Sequence, residues 1–312
     1  MRLHLFIRAA LLGAALALTT ASASAQAKNG LSFETGFAPA QDLTVWPLDI
    51  SQGYPLVRGQ VGSVKGVFML DTGTPWGLLL NRARVDLPDT RFALNAKTGS
   101  GQTFEVVRAT AMPPVVLHGQ AWTQVASVHA ADLSFLEQGA GIGPFLGFIG
   151  ANFFADTVLT LDYARRVQAD TGAPLAALPP ELSGGTVLAQ VRYRSDSPAF
   201  PVFDALLGAT PVRVMLDTGN RGATVDAGRL SDLRNAGAAQ AFGRLDAATT
   251  YRTMPLQIGM LVLPMLDLVA SDEPLKLDGQ PDPGLLKVGY TLPKRFGVTW
   301  NYRLQTLSFF EP

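Results

Sequence analysis

The 312-residue sequence contains no cysteine. Disulfide staples, thiolate metal sites, a cysteine nucleophile and a thioether-linked lipid anchor are all excluded by that absence. Histidine is almost as scarce. Of three, His4 lies in the N-terminal segment, which leaves His118 and His129, 11 residues apart with no carboxylate at metal-ligand spacing. Chemistry that runs on histidine has little to work with, and no metal or other cofactor is expected. Charge is low and balanced, 25 Lys+Arg against 25 Asp+Glu, so nothing draws the chain electrostatically to nucleic acid or to an anionic membrane. Long apolar runs are missing too, apart from residues 9–18. That run follows Arg2 and Arg8 and precedes the small-residue patterns Ala21-Ser22-Ala23, Ala23-Ser24-Ala25 and Ala25-Gln26-Ala27. It is too short for a stable bilayer span and reads as a signal peptide over residues 1–27, cleaved after Ala25 or Ala27. Cleavage removes Arg2 and Arg8 from the 25 basic residues, leaving 23 against 25 acidic ones, a net charge of −2. The expectation is a periplasmic or secreted protein without a stable membrane anchor, held together by its core alone.

What is present favours β structure. Hydrophobic residues make up 47% of the chain, enough for a substantial core, while 31 Gly and 21 Pro are spread throughout, as suits short strands joined by turns. The chain also repeats itself. Phe68-Met69-Leu70-Asp71-Thr72-Gly73 returns as Val214-Met215-Leu216-Asp217-Thr218-Gly219, and Gly62 matches Gly208, all at an offset of 146. Further on, Gly150, Leu159, Thr160 and Tyr163 match Gly289, Val298, Thr299 and Tyr302 at an offset of 139. Two matches in the same order indicate one duplicated unit of domain size. The predicted organisation is a first lobe over residues 28–170, a Pro/Gly-rich linker over 171–185 and a second lobe over 186–312. Strands are predicted at 61–70, 103–107, 115–117, 125–128, 212–216, 251–258 and 266–269, and short helices at 80–85 and 227–236.

Each repeat carries an apolar run into a carboxylate. Gly73 and Gly219 permit close backbone approach, and Thr72 and Thr218 offer short hydroxyls to a neighbouring loop. One Asp-Thr-Gly is an ordinary turn sequence; two, with the same lead-in and the same downstream partner, are not expected of chance turns. Two lobes can bring one carboxylate each to a common axis. At close range both cannot stay ionised, so the pair shares one proton and supplies an acid and a base without histidine.

These loops, the apolar-apolar-Gly segments Phe148-Ile149-Gly150 and Lys287-Val288-Gly289, and the strand ends Asp162-Tyr163 and Asn301-Tyr302 together resemble the pepsin–retropepsin aspartic peptidases, most of all bacterial exported members. The resemblance spans nearly all of the mature chain. It implies an all-β, bilobal acid-protease-like fold with a cleft between the lobes. Asp71 and Asp217 would be catalytic, and Thr72, Gly73, Thr74, Thr218, Gly219 and Asn220 would support them. It also implies interlocking threonines and hairpin flaps, for which residues 97–108, with Gly99 and Gly101 at the tip, and 244–252 are the candidates. The implied activity is that of an endopeptidase acting on exported proteins or peptides. A single chain holding both aspartates is expected to work as a monomer.

The sequence departs from the family pattern at two places. Asn220 stands where Ser, Thr or Ala is usual, placed to hydrogen-bond Asp217, and Lys287 stands where an apolar residue is usual. The alternative reading is a catalytically silent relative that binds peptides or proteins in the same cleft. Among the remaining features, Gly139 to Gly143 reads as a loop, His129 as a core or surface histidine, and Tyr251 as a strand residue. Trp76 is a packing or pocket residue, and Asp162 and Asp226 are turn or exposed carboxylates.

Overall fold

The computed structural model describes residues 43–311 except 99–101, 118, 123–127, 155–157, 164–166, 172–185, 194–199, 246–247, 278–279, 293–294 and 303. The segment 1–27 expected as a signal peptide, the expected linker from residue 172 onward, most of the strand expected at 125–128, Gly99, Gly101 and His118 therefore lie outside the described residues. In chain order the first half contains β1 (Leu43–Pro47), β2 (Leu56–Val61), β3 (Val64–Asp71), β4 (Leu78–Asn81), β5 (Arg91–Lys97), β6 (Thr103–Ala109), β7 (Val115–Leu117), β8 (Gln120–Trp122), β9 (Val128–Ala131), α1 (Ser134–Ala140), β10 (Phe145–Gly150), β11 (Val158–Asp162) and β12 (Val167–Thr171). The second contains β13 (Val187–Arg192), β14 (Val202–Leu207), β15 (Thr210–Leu216), β16 (Ala223–Asp226), α2 (Ala227–Asn235), β17 (Ala239–Leu245), β18 (Ala248–Thr253), β19 (Leu256–Ile258), β20 (Leu261–Leu263), β21 (Asp267–Ser271), β22 (Lys276–Leu277), β23 (Gln280–Pro281), β24 (Leu285–Val288), β25 (Gly297–Asn301) and β26 (Thr306–Phe310).

The duplication read in the sequence is a duplication of topology. One nine-stranded sheet has the order β5-β6-β9-β4-β10-β3-β2-β7-β8, and the other runs β17-β18-β21-β16-β24-β15-β14-β19-β20. Strand by strand these are the same sheet. In each, the motif strand (β3 or β15) lies between an antiparallel hairpin partner and a parallel neighbour that arrives late in the lobe. The hairpins turn at Gly62 and Gly208, whose φ values of 57° and 58° are left-handed and disfavour a side chain. That turn divides the single strand expected at 61–70 into β2 and β3.

Both faces of the motif strands are buried at residues 68–70 and 214–216, which explains why these ends read as continuous apolar runs rather than as an alternation. Phe68, Leu70, Val214 and Leu216 enter the large core, which also contains Leu159, Trp300 and Phe309. Met69 faces the opposite way into a smaller cluster with Leu56, and its counterpart Met215 does the same with Val202.

A third sheet joins the halves, in the order β1-β12-β11-β25-β26-β13. At its centre β11 and β25 pair antiparallel with Thr160 opposite Thr299. Their hydroxyls lie 3.0 Å apart and buried, so the residues related by the 139-residue offset meet each other. The helix expected at 227–236 is α2, N-capped by Asp226, whose Oδ1 accepts from Arg229 N at 2.8 Å. The helix expected at 80–85 is replaced by β4 and one turn. Asn81 is fully buried, donates to Phe145 O and accepts from Leu133 N, so tertiary pairing with β9 and β10 overrides local preference. Glycines 139 and 141 belong to the end of α1, where Gly141 at φ 64° forms a left-handed cap.

Candidate active site

Asp71 is the last residue of β3, and Asp217 directly follows β15. The parallel neighbours fix both ends: Gly150 registers with Asp71, and Asp217 N donates to Val288 O at 2.9 Å. Behind the loops, Ala151 N donates to Thr74 O (2.8 Å) and Tyr290 N to Asn220 O (2.9 Å). The loops themselves are locked by two threonines. Thr72 Oγ1 donates to Leu216 O and Thr218 Oγ1 to Leu70 O, each at 2.7 Å. Thr72 N donates to Thr218 Oγ1 and Thr218 N to Thr72 Oγ1, each at 3.1 Å. Thr72 is 2% exposed and Thr218 fully buried, so each hydroxyl satisfies a backbone group that water does not reach.

Across this interlock the carboxylates approach the opposite loops. A Cβ added to Gly219 would lie 2.5 Å from Asp71 Cγ, and one added to Gly73 would overlap the Asp217 carboxylate. Glycine is required at these positions by space. Each aspartate also accepts a backbone N–H from its own loop: Gly73 N to Asp71 Oδ1 at 2.8 Å and Gly219 N to Asp217 Oδ1 at 3.1 Å. Burial, followed by the charge of Asp217, pushes the Asp71 carboxyl up to about 7, against the pull of the Thr74 hydroxyl and Gly73 N–H.

The outer oxygens are treated differently in the two lobes. Asp71 Oδ2 accepts from Thr74 Oγ1 at 2.6 Å, whereas Asp217 Oδ2 accepts from Lys287 Nζ at 3.2 Å. Asn220, expected to bond Asp217, instead turns its amide to Gly222 O and Thr224 Oγ1, both at 3.2 Å. The loop is held by its backbone, Asn220 N donating to Asp217 O as Thr74 N does to Asp71 O, each at 3.0 Å.

Three further residues belong to this neighbourhood and gave no signal in the sequence. The Tyr54 hydroxyl is raised above the usual tyrosine value, first by burial, then by Tyr290 and Asp217, with Arg221 opposing. The Tyr54 and Tyr290 rings are 5.6 Å apart. Of the hairpins proposed as flaps, β5–β6 and β17–β18 are both formed, and Lys97 at the turn end of the first pairs with Glu273 of the second lobe.

Other singled-out residues are structural. Trp76 packs against the smaller first-lobe cluster and stacks on His129 with centroids 5.1 Å apart. His129 is a core residue, its imidazole lowered to about 4 by burial and then by Arg108. Asp162 and Asp226 are buried, not exposed. Tyr251 is half-buried beneath Arg234. A pocket of about 440 Å³ on the second lobe, lined among others by Asp204, Arg213 and Arg229, contains none of the site residues. Among the described residues no cluster of three or more His, Asp or Glu is arranged to hold a metal.

No protein-family model matches the sequence, and no curated protein matches it. Solved structures do. The crystal structure of the aspartic proteinase from Irpex lacteus aligns over 86% of this chain and 97% of its own, with a TM-score of 0.56 and 14% identity. The fold is that of a pepsin-like aspartic proteinase. At that identity the likeness is one of fold, and the chemistry must be argued from the side chains.

Proposed function

We propose that the chain is an aspartic-type endopeptidase in which Asp71 and Asp217 together activate a water molecule against a peptide bond. The observation that carries this is the mutual approach of the two carboxylates across the threonine interlock, each over a glycine that leaves no room for a Cβ. A buried carboxyl pair is unfavourable for the fold, and a structural role does not call for two of them at one point. Sharing one proton, the pair offers a base to the water and an acid to the carbonyl oxygen. The N-terminal segment supports a periplasmic or secreted setting, with exported proteins or peptides as substrates. The presence of both aspartates in one chain supports a monomer.

A second reading, a silent peptide- or protein-binding relative, is favoured by one observation, the Lys287 ammonium on Asp217. The two readings separate on incubating the mature protein with a diverse peptide pool from acid to mildly alkaline pH and mapping cuts by mass spectrometry. Cuts that vanish in both Asp71→Asn and Asp217→Asn support the peptidase. A folded protein that cuts nothing at any pH supports the binder.

A further inference from the structure

We infer that Lys287 is a positioning residue that confines the negative charge of the pair to Asp217 and the shared proton to Asp71, so that the duplicated motif has two unequal members. The inference deepens the peptidase reading and rests on it for its kinetic consequences.

The geometry departs from symmetry at two sequence positions. Asn220 is the counterpart of Thr74 at the 146-residue offset and has withdrawn from the carboxylate. Lys287 is the counterpart of Phe148 at the 139-residue offset. Phe148 packs edge-on to Phe145 with centroids 5.2 Å apart, while Lys287 extends from β24 to Asp217 Oδ2. The slot that a hydroxyl fills in the first lobe is filled by an ammonium in the second. A hydroxyl can serve a carboxylate or a carboxylic acid, since it donates and accepts; an ammonium only donates and favours the ionised form. The pair is well shielded, with Lys287 19% and Asp217 10% exposed at the side chain, where screening is weak.

The remaining groups around the pair do not reverse this. Arg221, exposed on the second loop, adds positive charge on the Asp217 side. Tyr54 and Tyr302 are raised above the usual tyrosine range, Tyr302 chiefly by burial, and stay neutral; Tyr290 stands beside Tyr54. The elevation of Asp71 agrees with a proton held there.

The steps follow. Asp217 takes one proton of the water as its oxygen bonds to the scissile carbonyl carbon, and Asp71 gives its proton to the carbonyl oxygen, forming a gem-diol. On collapse the C–N bond breaks, the nitrogen takes the proton from Asp217, and a diol hydroxyl returns a proton to Asp71 as the C=O re-forms. Acid and amine leave, and the pair is restored to its starting state.

Two measurements test the assignment. In protein labelled with ¹³C at the aspartate carboxyls, Asp71→Asn and Asp217→Asn identify the two resonances. At pH 5 the Asp217 carbon is expected at the ionised position and the Asp71 carbon at the protonated one. In Lys287→Met the two should converge, and in Lys287→Arg stay apart. Wild-type resonances that already coincide, or that Lys287→Met leaves unchanged, overturn the inference. In peptide cleavage, Lys287→Met should move both limbs of the pH–rate profile upward by about one unit or more, with Lys287→Arg close to wild type. An unchanged profile in an active Lys287→Met enzyme refutes the role of Lys287 and leaves the peptidase standing. A wild type that cuts nothing yet shows separated resonances refutes the peptidase and leaves the proton assignment standing.

Discussion

At Asp71 the physics of the site can be read from stability as well as from activity. Its carboxyl sits at about 7 in the fold, against 3.8 for an ordinary aspartate. Between these values the unfolded chain has released a proton that the folded one keeps, so folding stability falls as pH rises through this window; below about 4 both states are protonated and the effect vanishes. Asp71→Asn removes the titration while preserving shape. We expect thermal unfolding of the variant at pH 7 to occur above wild type, each kcal/mol recovered appearing as about 2–4 °C, with the gap closing below pH 4. A variant that melts below wild type at pH 7 would mean that the carboxylate stabilises the fold. The two aspartates were legible in the sequence because the motif recurs with its apolar lead-in. The partner of Asp217 was not. Lys287 was visible only as a charge in an apolar position, and Asn220 suggested a bond that its amide makes elsewhere. Which neighbour reaches a carboxylate depends on strand register between β15 and β24, which a single sequence does not state.

The central elements are the two motif hairpins and the strands behind them. Their interlock uses two hydroxyls against two carbonyls and two amides, all buried. Thr72→Val keeps the volume and removes the hydroxyl, stranding Leu216 O and Thr218 N. The loss should be about 2–4 kcal/mol, the penalty for two buried groups left unpaired, measured by denaturant unfolding, with Thr218→Val matching it by symmetry. A loss below about 0.5 kcal/mol in either would mean that the interlock is incidental. Strands with β-rich composition, such as β6 and β7, were legible at nearly their observed bounds. The chain at 80–85 misled because Arg82, Ala83 and Arg84 are good helix formers; β9 and β10 decide the outcome by pairing with β4. Helix α1 escaped notice because it has seven residues, an internal glycine and no side-chain cap.

On the scale of the molecule, the halves are not independent. The sheet β1-β12-β11-β25-β26-β13 joins three strands of each half along the β11–β25 pairing, and the large core runs from Leu70 to Leu216. Calorimetry is therefore expected to give one unfolding transition with equal calorimetric and van't Hoff enthalpies; two resolved transitions would assign the lobes separate stability. The two lobes were legible as a repeat, but the shared sheet was not. Pairing of β11 with β25 spans 139 residues, and nothing in either strand names its partner. We propose that the two lobes hold Asp71 and Asp217 as one catalytic unit. That claim is tested most directly by the cleavage rates of wild type, Asp71→Asn, Asp217→Asn and the double variant on the best-cut peptide. Groups that act as a unit are strongly non-additive, so each single variant should lose about 10³-fold or more and the double no further. Losses that multiply in the double variant, or a single variant that keeps its rate, would contradict it.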